Sequence, residues 1–278
     1  QSAPGPSPTD GATSAASVTD PTTLTAMHGE VTRDPNDPRA KGDVNAPVVM
    51  VVYSDFACPF CTKFAQEVEP QLDDLIKNGT LRIEWRDLAQ ITPTSPLAAQ
   101  AGIAAGKQGK FWEFHDAVYG AADPQGHPTY TEDSLVDFAK KAGVPDLERF
   151  RADMTDAATV KAVTDANQHA YSLGIKGTPF SFVNDAYIGG YRPADYVRAQ
   201  VELGYATTIH RAQGRTVDDC HVVVTPDMGR QGLYVGMTRG KSTNIAHVVT
   251  DDARADDDLL PQLAQEPAQI LTDVLARD

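Results

Sequence analysis

Cys58 and Cys61, separated by Pro59 and Phe60, are the residues whose type and spacing point most directly to chemistry. Thiol–disulfide exchange needs one thiolate to attack and a second thiol placed to resolve the mixed disulfide. Cys58 follows the apolar, β-branched run Val48-Val49-Met50-Val51-Val52-Tyr53-Ser54 and precedes a helical pattern. It therefore stands at a helix entrance, where backbone N–H groups and the positive end of the dipole favour a thiolate. Cys61 lies one turn further in and is expected to be the more buried, which suits the resolving role. Pro59 fits a first helical turn, where its missing N–H costs nothing. Phe60 has two readings, a surface residue tuning substrate contact or the first member of the helix's apolar stripe.

The remaining cysteine, Cys220, is left over, and three cysteines are too few for a disulfide framework. A structural zinc site needs four ligands, and neither His210 nor His221 is spaced to pair with the Cys58/Cys61 motif. No metal and no cofactor is expected. His115 lies among aromatic residues and reads as a satisfied helix-face histidine with no visible partner.

The elements that would hold the cysteine pair follow from periodicity. Strand 48–54 is apolar almost throughout, as for a central strand covered on both faces. Phe60, Phe64, Val68, Leu72 and Leu75 recur at helical spacing to about Lys77, with a kink expected at Pro70. Leu81–Leu88 alternates as a second strand. A helical block runs from Ser95 to about Leu173, then a strand over Gly177–Val183, a turn at Asn184-Asp185, a strand over Ala186–Gly190 and a helix from Pro193 to about Leu203. This order predicts an α/β fold, a small sheet with an all-helical insertion between its second and third strands. Residues 1–26, rich in Ser, Thr, Ala, Pro and Gly, read as a disordered tail or tether. A polar stretch from Met27 to Ala46 reads as a loop with a short strand at Glu30–Arg33.

A net charge of −14 over 278 residues and a pI near 4.8 weigh against nucleic acid or an anionic membrane as a partner of the whole chain. No run is long enough to span a membrane. The chain opens at Gln1, so a signal peptide or anchor is expected to have been removed or to lie outside it.

The residues 45–203 resemble the DsbA family of the thioredoxin superfamily. The resemblance rests on Gly42-Asp43, Ala46-Pro47-Val48, Asp55-Phe56-x-Cys58-Pro59-Phe60-Cys61, Gly109-Lys110-Phe111-Trp112-Glu113-Phe114-His115 and Gly177-Thr178-Pro179. It implies a thioredoxin fold with a helical insertion, catalytic Cys58 and Cys61, and a cis Thr178–Pro179 peptide facing the nucleophile. Pro59, Phe60, Thr178 and Pro179 would then contact the substrate. It further implies an extracytoplasmic enzyme that oxidises cysteines of unfolded or secreted proteins and is recharged by a membrane redox partner; reductase and isomerase remain alternatives on the same site. Thioredoxins carry a buried acid six residues before the first cysteine, where this chain has Val52. Asp55 is either a proton relay to Cys61 through water or a polar loop residue. Phe60 stands where the best-known members have His.

From Gly204 the text changes. Residues 204–250 resemble the last motifs of RecD-like superfamily 1 helicases and conjugative relaxases, and imply a partial RecA-like fragment. His210, Gln213 and Gly214 match the DNA-contacting segment, and Arg239 matches an arginine finger. The signature G-x-x-x-x-G-K-[ST] occurs nowhere in the chain, and residues 204–278 hold seven Lys/Arg against eleven Asp/Glu. Inactivity is expected of this fragment, and no nucleic acid is expected as a partner. Its strands would leave unpaired edges unless they found a partner. Residues 251–278 read as an acidic run and a short terminal helix.

Overall fold

The computed structural model describes residues 15, 17–202, 217–224, 228, 230–238, 240–248 and 267–276. The chain divides into two compact units, Gln1–Tyr205 and Ala206–Asp278.

The first unit is built on a five-stranded sheet. Its strands are β1 (Ala40–Lys41), β2 (Val48–Ser54), β3 (Leu81–Asp87), β4 (Phe180–Val183) and β5 (Ala186–Gly189), in the order β1-β3-β2-β4-β5. β2 is central, parallel to β3 and antiparallel to β4. Every β2 side chain is buried. The alternation of a strand divides them between two cores. Val48, Met50 and Val52 pack with Phe64, Leu72 and Val201, whereas Val49, Val51 and Tyr53 pack with Met27, Ile175 and Phe182. Each large apolar side chain so buried contributes about 1.5–3 kcal/mol.

Helix α1 (Pro21–Gly29) precedes the sheet. This corrects the expected tail, which was drawn to residue 26. The Asp20 carboxylate caps the helix by accepting the Thr23 N–H at 2.7 Å, and Met27, 2% exposed, anchors it to the sheet. One cap and one apolar anchor carry a segment whose composition has no periodicity. Glu30–Arg33 is not the expected strand. The backbone N–H groups of Thr32 and Arg33 donate to the Glu84 carboxylate instead of to a neighbouring strand.

After Cys58, α2 (Pro59–Lys63) passes into a π turn (Phe64–Val68), a 3-10 turn (Glu69–Leu72) and α3 (Asp73–Lys77). The ladder thus changes register ahead of Pro70, whose ring and missing donor exclude a regular helix there. Five helices follow β3: α4 (Ser95–Gly106), α5 (Phe111–Ala121), α6 (Glu132–Lys141), α7 (Leu147–Thr155) and α8 (Ala157–Ser172). They enclose a third core that includes Phe56, Trp85, Phe111, Phe114 and Phe150, together with both motif cysteines. α9 (Ala194–Glu202) closes the unit.

In the second unit β6 (Val217–Val224) and β7 (Gly240–Val248) pair in parallel, with α10 (Arg230–Met237) between them in sequence, and α11 (Pro267–Leu275) follows. The two strands find each other as partners, and Val222, Val224, Leu233, Ile270 and Val274 form a small core. His210, Gln213, Gly214 and Arg239, the four helicase-like positions, lie outside the described residues, as does the acidic run 251–258.

Candidate active site

β2 delivers the chain to the motif, and a buried carboxylate holds the loop between them. Asp55 accepts hydrogen bonds from the backbone N–H groups of Ala57 (2.8 Å), Gln90 (2.7 Å) and Ile91 (2.8 Å). Its carbonyl also accepts the Cys58 N–H at 3.0 Å. Asp55 therefore ties the motif loop to the loop after β3, and both carboxylate oxygens are occupied by backbone donors. Of its two readings, this geometry favours the loop residue.

Cys58 is the N-cap of α2, with extended φ/ψ of −87° and 122°, and its carbonyl receives the N–H of Thr62 at 2.9 Å. Both motif cysteines are free thiols, and both are covered: Cys58 is 2% exposed and Cys61 1%. The sequence led to the expectation that Cys61 would be the more buried. By exposed surface the two hardly differ, since the helical block covers the motif as a whole, but Cys61 lies the deeper, as expected. Hydrogen bonding separates them further. The Cys61 thiol donates to the Cys58 sulfur, and this contact is the largest influence lowering the Cys58 pKa to about 6. Burial opposes it. The Thr178 hydroxyl and the backbone N–H groups of Cys61 and Phe60 add to it. Burial pushes the Cys61 thiol well up, and the Cys58 sulfur pushes it further in the same direction. The pair is thus divided into a ready thiolate and a reluctant one.

The Thr178–Pro179 peptide is cis and opens β4. Its placement brings the Thr178 carbonyl within 3.4 Å of the Cys58 sulfur. The Thr178 hydroxyl is buried, with no other hydrogen-bond partner, and lies near enough to both thiols to lower their pKa values. Phe60 is 59% exposed beside the motif, so it is a surface residue and not a member of the helix's buried apolar stripe.

His115 has partners that the sequence does not display. It is 1% exposed, with Nδ1 2.8 Å from Asp116 and Nε2 3.5 Å from Glu69. Burial lowers its pKa, but Glu69 and Asp116 outweigh that and raise it. Lys41 completes the cluster, 2.9 Å from Glu69 and over the Trp112 ring. Two hydroxyls near the cysteines carry no signal in the sequence. Ser54 Oγ and Tyr119 Oη lie 3.0 Å apart, both buried, with Ser54 in reach of Cys61. No local pattern marks them, since 65 residues separate the two. Among the described residues there is no group of acidic, His or Cys side chains arranged to hold a metal ion.

A thioredoxin family model matches residues 35–202 and ends where α9 ends. The probable disulfide bond formation protein D of Bacillus cereus is 32% identical over 147 residues, covering 51% of this chain and 68% of that protein. The Na(+)/H(+) antiporter NhaA 1 of Salinispora arenicola is 32% identical over 178 residues; the chain spans 26% of that protein's length. The crystal structure of oxidised BdbD from Bacillus subtilis superposes with a TM-score of 0.56 at 24% identity, covering 62% of this chain and 94% of that one. Matched over more than half its length, the chain belongs to the thioredoxin family, and its first unit has the fold of the disulfide-forming proteins within it.

Proposed function

We propose that this protein is an extracytoplasmic thiol–disulfide oxidoreductase that oxidises cysteine pairs in unfolded or secreted proteins through a Cys58–Cys61 disulfide. The observation that carries this reading is the division of the two thiols, with Cys58 lowered to about 6 and Cys61 raised. A low-pKa thiol is a good leaving group, so a mixed disulfide on Cys58 is readily displaced toward the reduced pair.

In the cycle a substrate thiolate attacks the Cys58 sulfur. The S–S bond breaks, and its electron pair leaves on Cys61, which becomes a thiolate and then takes a proton. The second substrate thiolate attacks the substrate sulfur of the mixed disulfide and expels Cys58 as a thiolate. The substrate has lost two electrons and gained a disulfide, and the pair holds those two electrons until a membrane redox partner removes them. Thr178 and Pro179 would align the substrate chain beside Cys58, and Pro59 and exposed Phe60 would contact it. Asp55 would serve as the clamp of the motif loop. Disulfide chemistry of this kind persists outside the cytosol, and among the described residues no helix is long and apolar enough to cross a membrane. The relatives named disulfide bond formation protein D support the oxidising direction over reduction or isomerisation. Oxidation of a reduced model protein by the disulfide form, compared with Cys58→Ser, tests the reading. An unchanged rate in the variant would end it.

The second unit carries the other reading, a fragment of a DNA motor. Its parallel β6/β7 pair with α10 between the strands in sequence is an arrangement that nucleotide-binding sheets use. The missing phosphate loop and the acidic excess weigh against it, and we assign residues 204–250 no part in the thiol chemistry. Filter binding of single-stranded DNA to the full chain, with Arg239→Ala as control, would revive the motor reading if it detected binding that the substitution removes.

A further inference from the structure

The Cys61 sulfur must be a leaving group in one half of the cycle and a nucleophile in the other, yet it is 1% exposed. Either task requires a thiolate in a place that disfavours charge. The acid found in thioredoxins is replaced by Val52, and Asp55 has both oxygens engaged by the N–H groups of Ala57, Gln90 and Ile91. What remains beside the sulfur, apart from the Thr178 hydroxyl that both cysteines share, is a pair of hydroxyls. Ser54 is the last residue of β2 and 3% exposed, its partner Tyr119 packs in the same core as Cys61, and the Ser54 hydroxyl helps to lower the Cys61 pKa. Behind it, Tyr119 Oη lies 3.0 Å from Ser54 Oγ and is itself buried.

Both hydroxyls are held in place by their surroundings. Ser54 pairs with Asp87 in the sheet register, and its carbonyl accepts the Leu88 N–H at 3.0 Å. The Tyr119 ring is packed between Phe56 and His115, at centroid distances of 5.2 Å and 4.8 Å. Its carbonyl is tied down by Gln66 Nε2 at 2.7 Å. A serine hydroxyl has one proton to give. If Tyr119 donates to Ser54, Ser54 is free to donate to sulfur, and two aligned O–H groups polarise one another.

We propose that Ser54 and Tyr119 form a two-hydroxyl donor chain that stabilises the Cys61 thiolate, doing with hydrogen bonds what thioredoxins do with a buried acid. This rests on the oxidoreductase reading above. Neither hydroxyl surrenders its proton. The chain donates hydrogen bonds to the sulfur when the S–S bond breaks and the electron pair arrives on Cys61, and again when Cys61 attacks. Ser54 and Tyr119 are positioning residues. The titratable groups around them are Cys58 and Asp55 on the motif loop, Asp87 on β3 and His115 on Tyr119's own helix, with Glu69 behind His115.

The reduced protein treated with 5,5′-dithiobis(2-nitrobenzoate) separates the two thiols in one stopped-flow trace. Attack by Cys58 releases the first thionitrobenzoate and leaves a mixed disulfide, and attack by Cys61 releases the second. Tyr119→Phe removes one oxygen and keeps the ring. It is expected to preserve the first phase, to slow the second by about tenfold or more at neutral pH, and to move the second phase's pH profile upward. Ser54→Ala should do the same, and Ser54→Thr should restore the rate. A preserved first phase shows that the variant is folded around Cys58. A second phase in Tyr119→Phe matching wild type across pH would overturn the donor chain and leave the oxidoreductase reading standing. A wild-type protein that released no second equivalent would remove that reading itself.

Discussion

The Cys58 sulfur lies 3.4 Å from the carbonyl oxygen of Thr178, 120 residues further along the chain. The contact exists because β2 and β4 pair with Tyr53 opposite Phe180, which brings the residue before Pro179 level with the motif. A thiol at Cys58 donates to that carbonyl. A thiolate has nothing to donate and is held by the Cys61 thiol and by the N–H groups of Phe60 and Cys61. The same sulfur therefore faces an acceptor on one side and donors on the other, and its protonation state decides which side is satisfied.

The first prediction concerns that protonation. Cys58 is expected to titrate near pH 6, against an ordinary value of 9.0. The sign follows from linkage. A depressed acid contributes stability to the reduced fold fully above about pH 9 and loses it as the pH falls through about 6. Below about 6 reduction takes up two protons with two electrons, and above it one proton. The reduction potential should then fall by about 59 mV per pH unit on the acid side and about 30 mV on the other. Thiolate absorbance near 240 nm and a glutathione redox titration read these two quantities. A single slope through pH 5–8 would contradict the assignment.

A second prediction uses Phe60, whose ring is exposed and outside the core. Replacing it with His puts a protonatable ring next to the Cys58 sulfur, and a nearby cation favours the thiolate. In Phe60→His the Cys58 pKa should fall below its wild-type value, and the reduction potential should rise by about 30 mV for each tenfold gain in the reduced form. Fold stability should change by no more than about 0.5 kcal/mol, as for an exposed site. A Cys58 titration unmoved by the substitution would mean that residue 60 points away from the sulfur.

How much of this was legible in the sequence depended on how local each cause was. The strand–cysteine–helix order stood out because an apolar run, a proline and a helical period lie side by side between Val48 and Leu75. The helical insertion was visible for the same reason. What was hidden depends on partners remote in sequence. The three N–H groups that engage Asp55 come from residues 57, 90 and 91, so its role could not be chosen from position 55 alone. Tyr119 sits in an ordinary helical stripe, and only folding brings its hydroxyl to Ser54. Helix α1 leaves no periodic trace in the sequence because tertiary packing of Met27, and no amphipathic pattern, holds it. The covering of Cys58 as well as Cys61 belongs to the packing of the helical block over the motif, which no spacing rule expresses.

The third prediction separates two glycines with positive φ. Gly42 has φ of +101°, and a Cβ there would run into the Leu81 carbonyl oxygen and lie 3.0 Å from Arg82 Cα. Gly79 has φ of +81° with nothing within 4 Å of its Cβ position. Gly42→Ala combines backbone strain with a collision against backbone that cannot move aside, and should cost about 2–4 kcal/mol. Gly79→Ala carries the strain alone and should cost about 1 kcal/mol. Urea denaturation of the two variants measures the order. Equal midpoints would show that the chain around Gly42 relaxes freely.

The last prediction is the part of the acid loss of stability that traces to one buried cluster. Glu69 is 5% exposed and meets Lys41 at 2.9 Å and His115 at 3.5 Å. Burial works against its charge, but the His115 and Lys41 cations overcome it and hold the carboxyl at about 2, from an ordinary 4.5. A carboxyl depressed by folding adds stability that is complete above about pH 4.5 and disappears as the pH falls toward 2. The size is on the order of 3 kcal/mol for this group. His115 has the opposite sign: its raised pKa adds stability that is full below its unfolded value of 6.5 and is lost as the pH climbs through the folded one. The two together predict a stability maximum between about pH 4.5 and 6.5 for their joint contribution. Glu69→Gln keeps the volume and removes the charge, so the variant should lose Glu69's share of the wild type's slope between pH 4.5 and 2, while Glu84, also held at about 2, keeps its own. It should also bring the His115 titration down, because the Glu69 charge that most raises that imidazole is gone. Chemical denaturation at a series of pH values, with the His115 ring followed by NMR, tests both halves. If Glu69→Gln retained the full wild-type acid slope, the buried carboxylate of Glu69 could not contribute to it.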